Sequence, residues 1–197
     1  MTERTGLAPK KTALIGLAAL AGIAAVAALV VSMGLFNVAA DRPHSAPVAW
    51  FMQTVRNRSI AVRATGIVVP TDLGDVKRVK RGAAEYGEMC SSCHGSPGGD
   101  RSELSLGLYP SAPQLAKGIH RPITEQFWIV KHGLKMTAMP AWGVTHDDKI
   151  LWDTIAFLQK LPGLTPDQYR ELTRDAAEEH EKMGGHGSDH AMPGMNP

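Results

Sequence analysis

The sequence predicts a mainly α protein: one membrane-length apolar helix, then a small head of three to four helices. Three observations carry this. No charged residue falls between Thr12 and Ala40, and Ala, Leu, Ile and Val dominate that stretch. From Val76 onward, apolar side chains recur at helical spacing between capping signals and Gly or Pro stops. Only Ser59–Val69 has the β-branched enrichment of a strand. A chain of 197 residues is long enough for one domain or two small ones, and a net charge of +2 is too weak to argue for a nucleic-acid partner.

Each element follows in order. Residues 1–11 carry Arg4, Lys10 and Lys11 and read as a short cytoplasmic N-terminus. Residues 12–36 read as a transmembrane anchor, since a hydrocarbon core of about 30 Å needs roughly 20 helical residues. The alternative is a cleavable signal peptide ending at Val38-Ala39-Ala40. Its apolar region would run about 7–15 residues, and this one is longer. Arg42, Arg56 and Arg58 follow the segment, so charge alone orients it only modestly. Residues 37–75, with Pro43, Pro47 and Pro70 and no sustained helical period, read as a linker or strap packed on the next domain, with Ser59–Val69 a short strand or extended piece. Residues 76–162 form the head. Gly82, Tyr86 and Cys90 share one face of its first helix, and Gly95–Pro113 is a loop. Thr124 is placed to cap a helix running through Phe127, Trp128 and Val130 to His132, with Gly133 as its stop. Thr145-x-x-Asp148 opens a helix presenting Ile150, Leu151, Ile155 and Leu158, closed by Leu161-Pro162-Gly163. Thr165-Pro166-Asp167-Gln168 is a capping box with proline at the first helical position. It opens a charged, solvent-exposed helical extension over 163–183. Residues 184–197 are Gly, His, Met and Pro-rich and read as a disordered tail.

The chemistry sits in Cys90-Ser91-Ser92-Cys93-His94. A C-x-x-C-H pentad is an attachment site for c-type haem. Its thiols form thioethers to one porphyrin, and the histidine is placed to ligate the iron. These are the only two cysteines of the chain. A zinc site lacks its further ligands, and a thioredoxin-like pair lacks a βαβ setting. One haem per chain follows. Because c-type haem is attached on the outer face of energy-transducing membranes, the head and the 37–75 segment are expected in the periplasm, anchored to the inner membrane.

The second axial position decides between an electron carrier and an enzyme or gas sensor with an open site. Met139 is the candidate ligand, because Pro140 stiffens the backbone after it and thioether sulfur is a soft donor. Met136 is the fallback. His120, His132 and His146 are rivals, with His132 ending a helix and His146 starting one. Lys117, Arg121, Lys131 and Lys135 fall near the expected haem rim, where they would steer an acidic partner.

Gly82-x-x-x-Tyr86-x-x-x-Cys90-x-x-Cys93-His94-Gly95, the Met-Pro loop and Ile155-Ala156-Phe157-Leu158 together resemble a class I c-type cytochrome over about Val79 to Leu161. The resemblance implies a monohaem, His/Met-ligated fold whose first and last helices cross closely at the glycine matching Gly82, with Tyr86 and Phe157 packed there. It also implies a proline carbonyl on the axial histidine, matched best by Pro113 and next by Pro110, and a haem pocket that includes Trp142. The implied function is single-electron transfer between redox proteins, such as a quinol-oxidising complex or dehydrogenase and a terminal oxidase. The protein would then be a carrier rather than an enzyme in its own right. Separately, His180, Met183, His186, His190, Met192 and Met195 form an imidazole and thioether cluster able to bind copper.

Overall fold

Helices and turns make up all the regular structure of the computed structural model, which describes residues 9–182 and, for side chains, residues 11–174. The chain divides into two compact units, Met1–Arg42 and Pro43–Pro197. The first contains helix α1, Pro9–Ser32. Its 22-residue stretch Lys11–Ser32 is long and apolar enough to cross a membrane, and none of it is buried. At 1.5 Å per residue that is about 33 Å. The helix stops four residues short of the expected Phe36. Gly34 takes a left-handed conformation (φ 65°), and the amides of Gly34 and Leu35 close back on the carbonyls of Val31 and Val30. This is the glycine-terminated cap that satisfies otherwise orphaned carbonyls.

The second unit begins with a correction. Residues 46–63 are neither linker nor strand but helix α2, Ala46–Arg63. Ser45 stands at its N-cap and Pro47 lies in its first turn, where a missing N–H costs nothing. The prolines read as linker signals are in part a helix start. Ile60 and, just past the helix end, Ala64 are buried, and α2 packs on α6, Ile123–His132. Arg121 just before α6 donates to Asn57 Oδ1 at 2.7 Å. Tertiary packing here overrides the strand preference of Ile60 and Val62.

Helix α3, Val76–Glu85, starts at Asp75, whose carboxylate accepts from the amides of Lys77 and Arg78. It crosses α7, Asp148–Leu158, at Gly82. A Cβ on Gly82 would lie 1.9 Å from the Asp153 carbonyl oxygen, so the two backbones touch only because the side chain is hydrogen. Beside the crossing, the buried Asp153 carboxylate accepts from Arg78 Nη1 and from Arg81 Nε, each at 2.6 Å. Arg78 also reaches Asp72 at 3.0 Å. Removing one partner of such a buried pair commonly costs about 3–5 kcal/mol, less here for the part-exposed Arg81.

Tyr86, Phe157 and Tyr169 form an aromatic cluster with centroids 5.3 to 6.3 Å apart. Phe127 of α6 stacks on Trp152 of α7 at 4.0 Å. Tyr169 belongs to α8, Pro166–Lys182, which therefore does not lie wholly in solvent: Tyr169 is buried and Leu172 half-buried against the core. Its capping box forms as expected, Thr165 N–H to Gln168 Oε1 and Gln168 N–H to Thr165 Oγ1. Two other expected starts move. Pro122, not Thr124, precedes α6. Asp147, not Thr145, caps α7 by accepting from the Ile150 amide. Thr145 is spent in a turn onto the Trp142 carbonyl.

Candidate haem site

The pentad does not sit on an undisturbed continuation of α3. Tyr86–Cys90 form a single π-turn, followed by the short helix α4, Ser91–His94. The wider turn resets the side-chain register just before the first thiol; such insertions concentrate at functional sites. Gly95 ends α4 at φ 73°. Its carbonyl accepts the Tyr86 hydroxyl at 2.6 Å, tying the turn after His94 to the fully buried ring at the π-turn's start.

A second clamp holds the pentad from the other side. Ser102 caps α5, Glu103–Gly107, and also donates to the Ser92 carbonyl. The buried Ser105 hydroxyl donates to the Cys93 carbonyl at 2.8 Å, and Arg101 donates to the Ser105 carbonyl. None of these three residues was singled out from sequence. Only the Ser-Glu start signal at Ser102-Glu103 was there to be read, and nothing in it pointed to the pentad.

His94 Nδ1 lies 2.8 Å from the Pro113 carbonyl oxygen. A carbonyl can only accept, so Nδ1 carries the proton and Nε2 keeps a lone pair. The carbonyl that meets the imidazole is that of Pro113 and not that of Pro110. Burial holds His94 below the ordinary imidazole range, while the Pro113 bond pulls weakly upward. Burial thus favours a neutral ring, and the Pro113 bond leaves Nε2 as its available nitrogen. The Cys90 thiol is pushed up to about 12, first by burial, then by the neighbouring Glu85 and Cys93. Neither cysteine is in a disulfide.

Met139 and Met136 part company. Gly133 caps α6 at φ 63°, and a Cβ there would strike the Pro140 and Ala141 backbone within 2.7 Å. The Leu134 amide donates to the Met139 carbonyl at 3.1 Å. Thr137 clamps the same loop, donating to the Leu134 carbonyl and accepting from the Met139 amide. The Met-Pro segment is thus drawn against the end of α6, and Met139 packs half-buried on the core. Met136 sits at the loop's outer corner with φ 58° and 78 % exposed. Trp142 also packs on the core and meets His146 edge-on at 5.6 Å. His120 and His132 are exposed, and His132 lies against Trp128.

The residues present fit a porphyrin. The donor set is two thiols, an imidazole with a free nitrogen and a thioether, the set c-type haem uses. Leu115, Ala116, Ile119, Ile123, Met139 and Trp142 pack on the core but are only partly buried by protein, leaving apolar surface that a macrocycle would cover. Two of the four expected rim cations are already paired, Arg121 with Glu125 at 2.8 Å and Lys131 with Asp148 at 2.6 Å. Lys117 and Lys135 are exposed. The His/Met cluster from His180 to Met195 lies outside the residues whose side chains are described.

Tyr86 offers a test of the clamp. Burial, then nearby Cys90 and Tyr169, raise its phenol well above the ordinary range. The folded state therefore holds the neutral form. Its contribution is complete below the ordinary phenol pKa of about 10 and is lost as pH rises further, since only unfolded chains then release the proton. Tyr86→Phe should cost about 1 kcal/mol near neutrality through the lost hydrogen bond. It should also flatten the fall in stability above about pH 10. Urea titrations at neutral and alkaline pH check this, and equal slopes for both proteins would refute it.

Residues 77–158 match the family model described as cytochrome c oxidase, cbb3-type, subunit III. Comparison with curated proteins gives no match. A mainly helical fold, the C-x-x-C-H pentad just after α3 and that match together make residues 77–158 a c-type cytochrome domain, which supports an electron-transfer haem protein and implies covalently bound haem c.

Proposed function

We propose that the protein is a membrane-anchored carrier of single electrons, with one haem bound to Cys90 and Cys93 and axially ligated by His94 and Met139. Bound haem c supplies a one-electron iron couple, whose potential rises with His/Met ligation. The chain's own residues orient and shield it. Pro113 fixes the imidazole tautomer, Thr137 and Gly133 hold the Met139 loop, and the partly buried apolar side chains keep water from the macrocycle. The observation that carries this reading is the pairing of a tautomer-locked His94 with a Met139 turned onto the core, while Met136 faces solvent.

The apolar helix Lys11–Ser32 supports a single-pass anchor. Covalent haem attachment puts the head on the periplasmic side of the inner membrane. The family match supports redox-protein partners, including an oxidase complex of which this chain would be a subunit. An enzyme or gas sensor would need an open sixth position.

Optical spectra test the ligation. The oxidised protein should show a weak long-wavelength sulfur-to-iron band, and the reduced protein should bind carbon monoxide slowly. Met139→Ala should abolish the band and open the iron to carbon monoxide, while Met136→Ala leaves both unchanged. A parent protein without the band that binds carbon monoxide rapidly would remove the carrier reading.

A further inference from the structure

Helix α2 has an apolar face that the head does not use. Successive helical residues turn by about 100°, so Ile60 and Ala64, the buried contacts, lie on one side. Phe51, Val55, Arg58 and Val62, spaced four, three and four residues apart, fall on the opposite side. Phe51, Val55 and Val62 are 58, 50 and 71 % exposed, and the neighbouring Trp50 is 69 % exposed. A stripe of this size without a covering partner marks an interaction surface.

We propose that this face of α2 lies on a bilayer surface rich in anionic headgroups. The inference rests on the membrane-anchored reading above. Three observations select lipid. Arg58 lies on this face, Arg56 and Arg63 fall towards the packed side, and helix α2 holds no acidic residue, a basic balance that complements anionic lipid. Its exposed aromatics, Trp50 and Phe51, are in its first half, and an apolar face beside arginines is the composition of helices that lie in the interface plane. Only thirteen residues separate Ser32, the end of α1, from Ala46, a reach of at most about 45 Å. A second copy is a poorer occupant, because a twofold pairing of the stripe would bring Arg58 towards its own counterpart. The consequence is that the head is held against the membrane through α2 rather than swinging freely on a tether.

Spin labels on the full-length, haem-loaded chain test this. One label goes at Val55→Cys on the stripe, the other at Gln53→Cys, which is exposed on the opposite side. Proteins are reconstituted in vesicles of phosphatidylcholine alone or with phosphatidylglycerol. Flotation of the vesicles with protein reports the anchor; label accessibility reports α2. With phosphatidylglycerol, the Val55 label should become several-fold more accessible to oxygen than to a water-soluble nickel complex, and the Gln53 label should not. Phe51→Glu with Val62→Glu should reverse this without changing the haem spectrum. If the chain floats but both labels remain nickel-accessible, the α2 proposal fails and the anchor stands. If labels at Val55 couple to each other or are immobilised without oxygen access, a protein occupant replaces lipid. If the chain does not float, the anchor reading itself fails.

Discussion

Gly82→Ala should destabilise the haem-loaded protein by about 2 kcal/mol or more, although alanine is the better helix former. Helix propensity alone favours the change by about 1 kcal/mol. The added methyl would sit 1.9 Å from the Asp153 carbonyl oxygen and 2.5 Å from its carbon. Those are main-chain atoms that cannot rotate away, so relief requires separating α3 from α7. Overpacking costs of about 1–3 kcal/mol apply where flexible side chains can yield, and a backbone contact falls at or beyond the upper end. Separation would also stretch the bonds from Arg78 and Arg81 to Asp153. Denaturant titration followed by far-ultraviolet circular dichroism measures the effect. A midpoint equal to or above the parent's would show that the crossing does not depend on this glycine.

Cys90→Ala combined with Cys93→Ala should yield protein with no haem mass after denaturation and little folded head. Two consequences are joined here. The thioethers are lost, so any retained porphyrin depends on His94 and Met139 alone. The partly buried apolar side chains Leu115, Ile119, Ile123 and Trp142 then lose a covering group, and metal-coupled folding of this kind is withdrawn with the cofactor. Mass spectrometry of the denatured chain and haem staining after electrophoresis decide it. Each single variant should keep one thioether and an intermediate yield. Full haem mass in the double variant would refute attachment at these two positions.

Much of the head was legible because its signals are local. The box at Thr165-Pro166-Asp167-Gln168 needs four consecutive residues, and it forms. Gly133 as a helix stop is a matter of one backbone angle. The pentad is likewise a contiguous string. The start of α7 was misplaced, because the expected cap Thr145 is taken by the turn onto Trp142 and Asp147 caps the helix instead. Helix α2 was missed because Pro43 and Pro47 read as linker and β-branched residues as strand. Burial of Ile60 and Ala64, with α2 packed on α6, outweighed that preference.

By itself, the order of residues determined the apolar helix, the helical head and the C-x-x-C-H pentad, since each depends on near neighbours, while the need for Gly82 at the crossing was implied by the family resemblance. The tertiary structure alone decided which serines clamp the pentad and which face of α2 is left uncovered. Those are contacts between segments far apart in the chain, chosen by how the packed elements share space and hydrogen-bonding groups, and no local pattern encodes them.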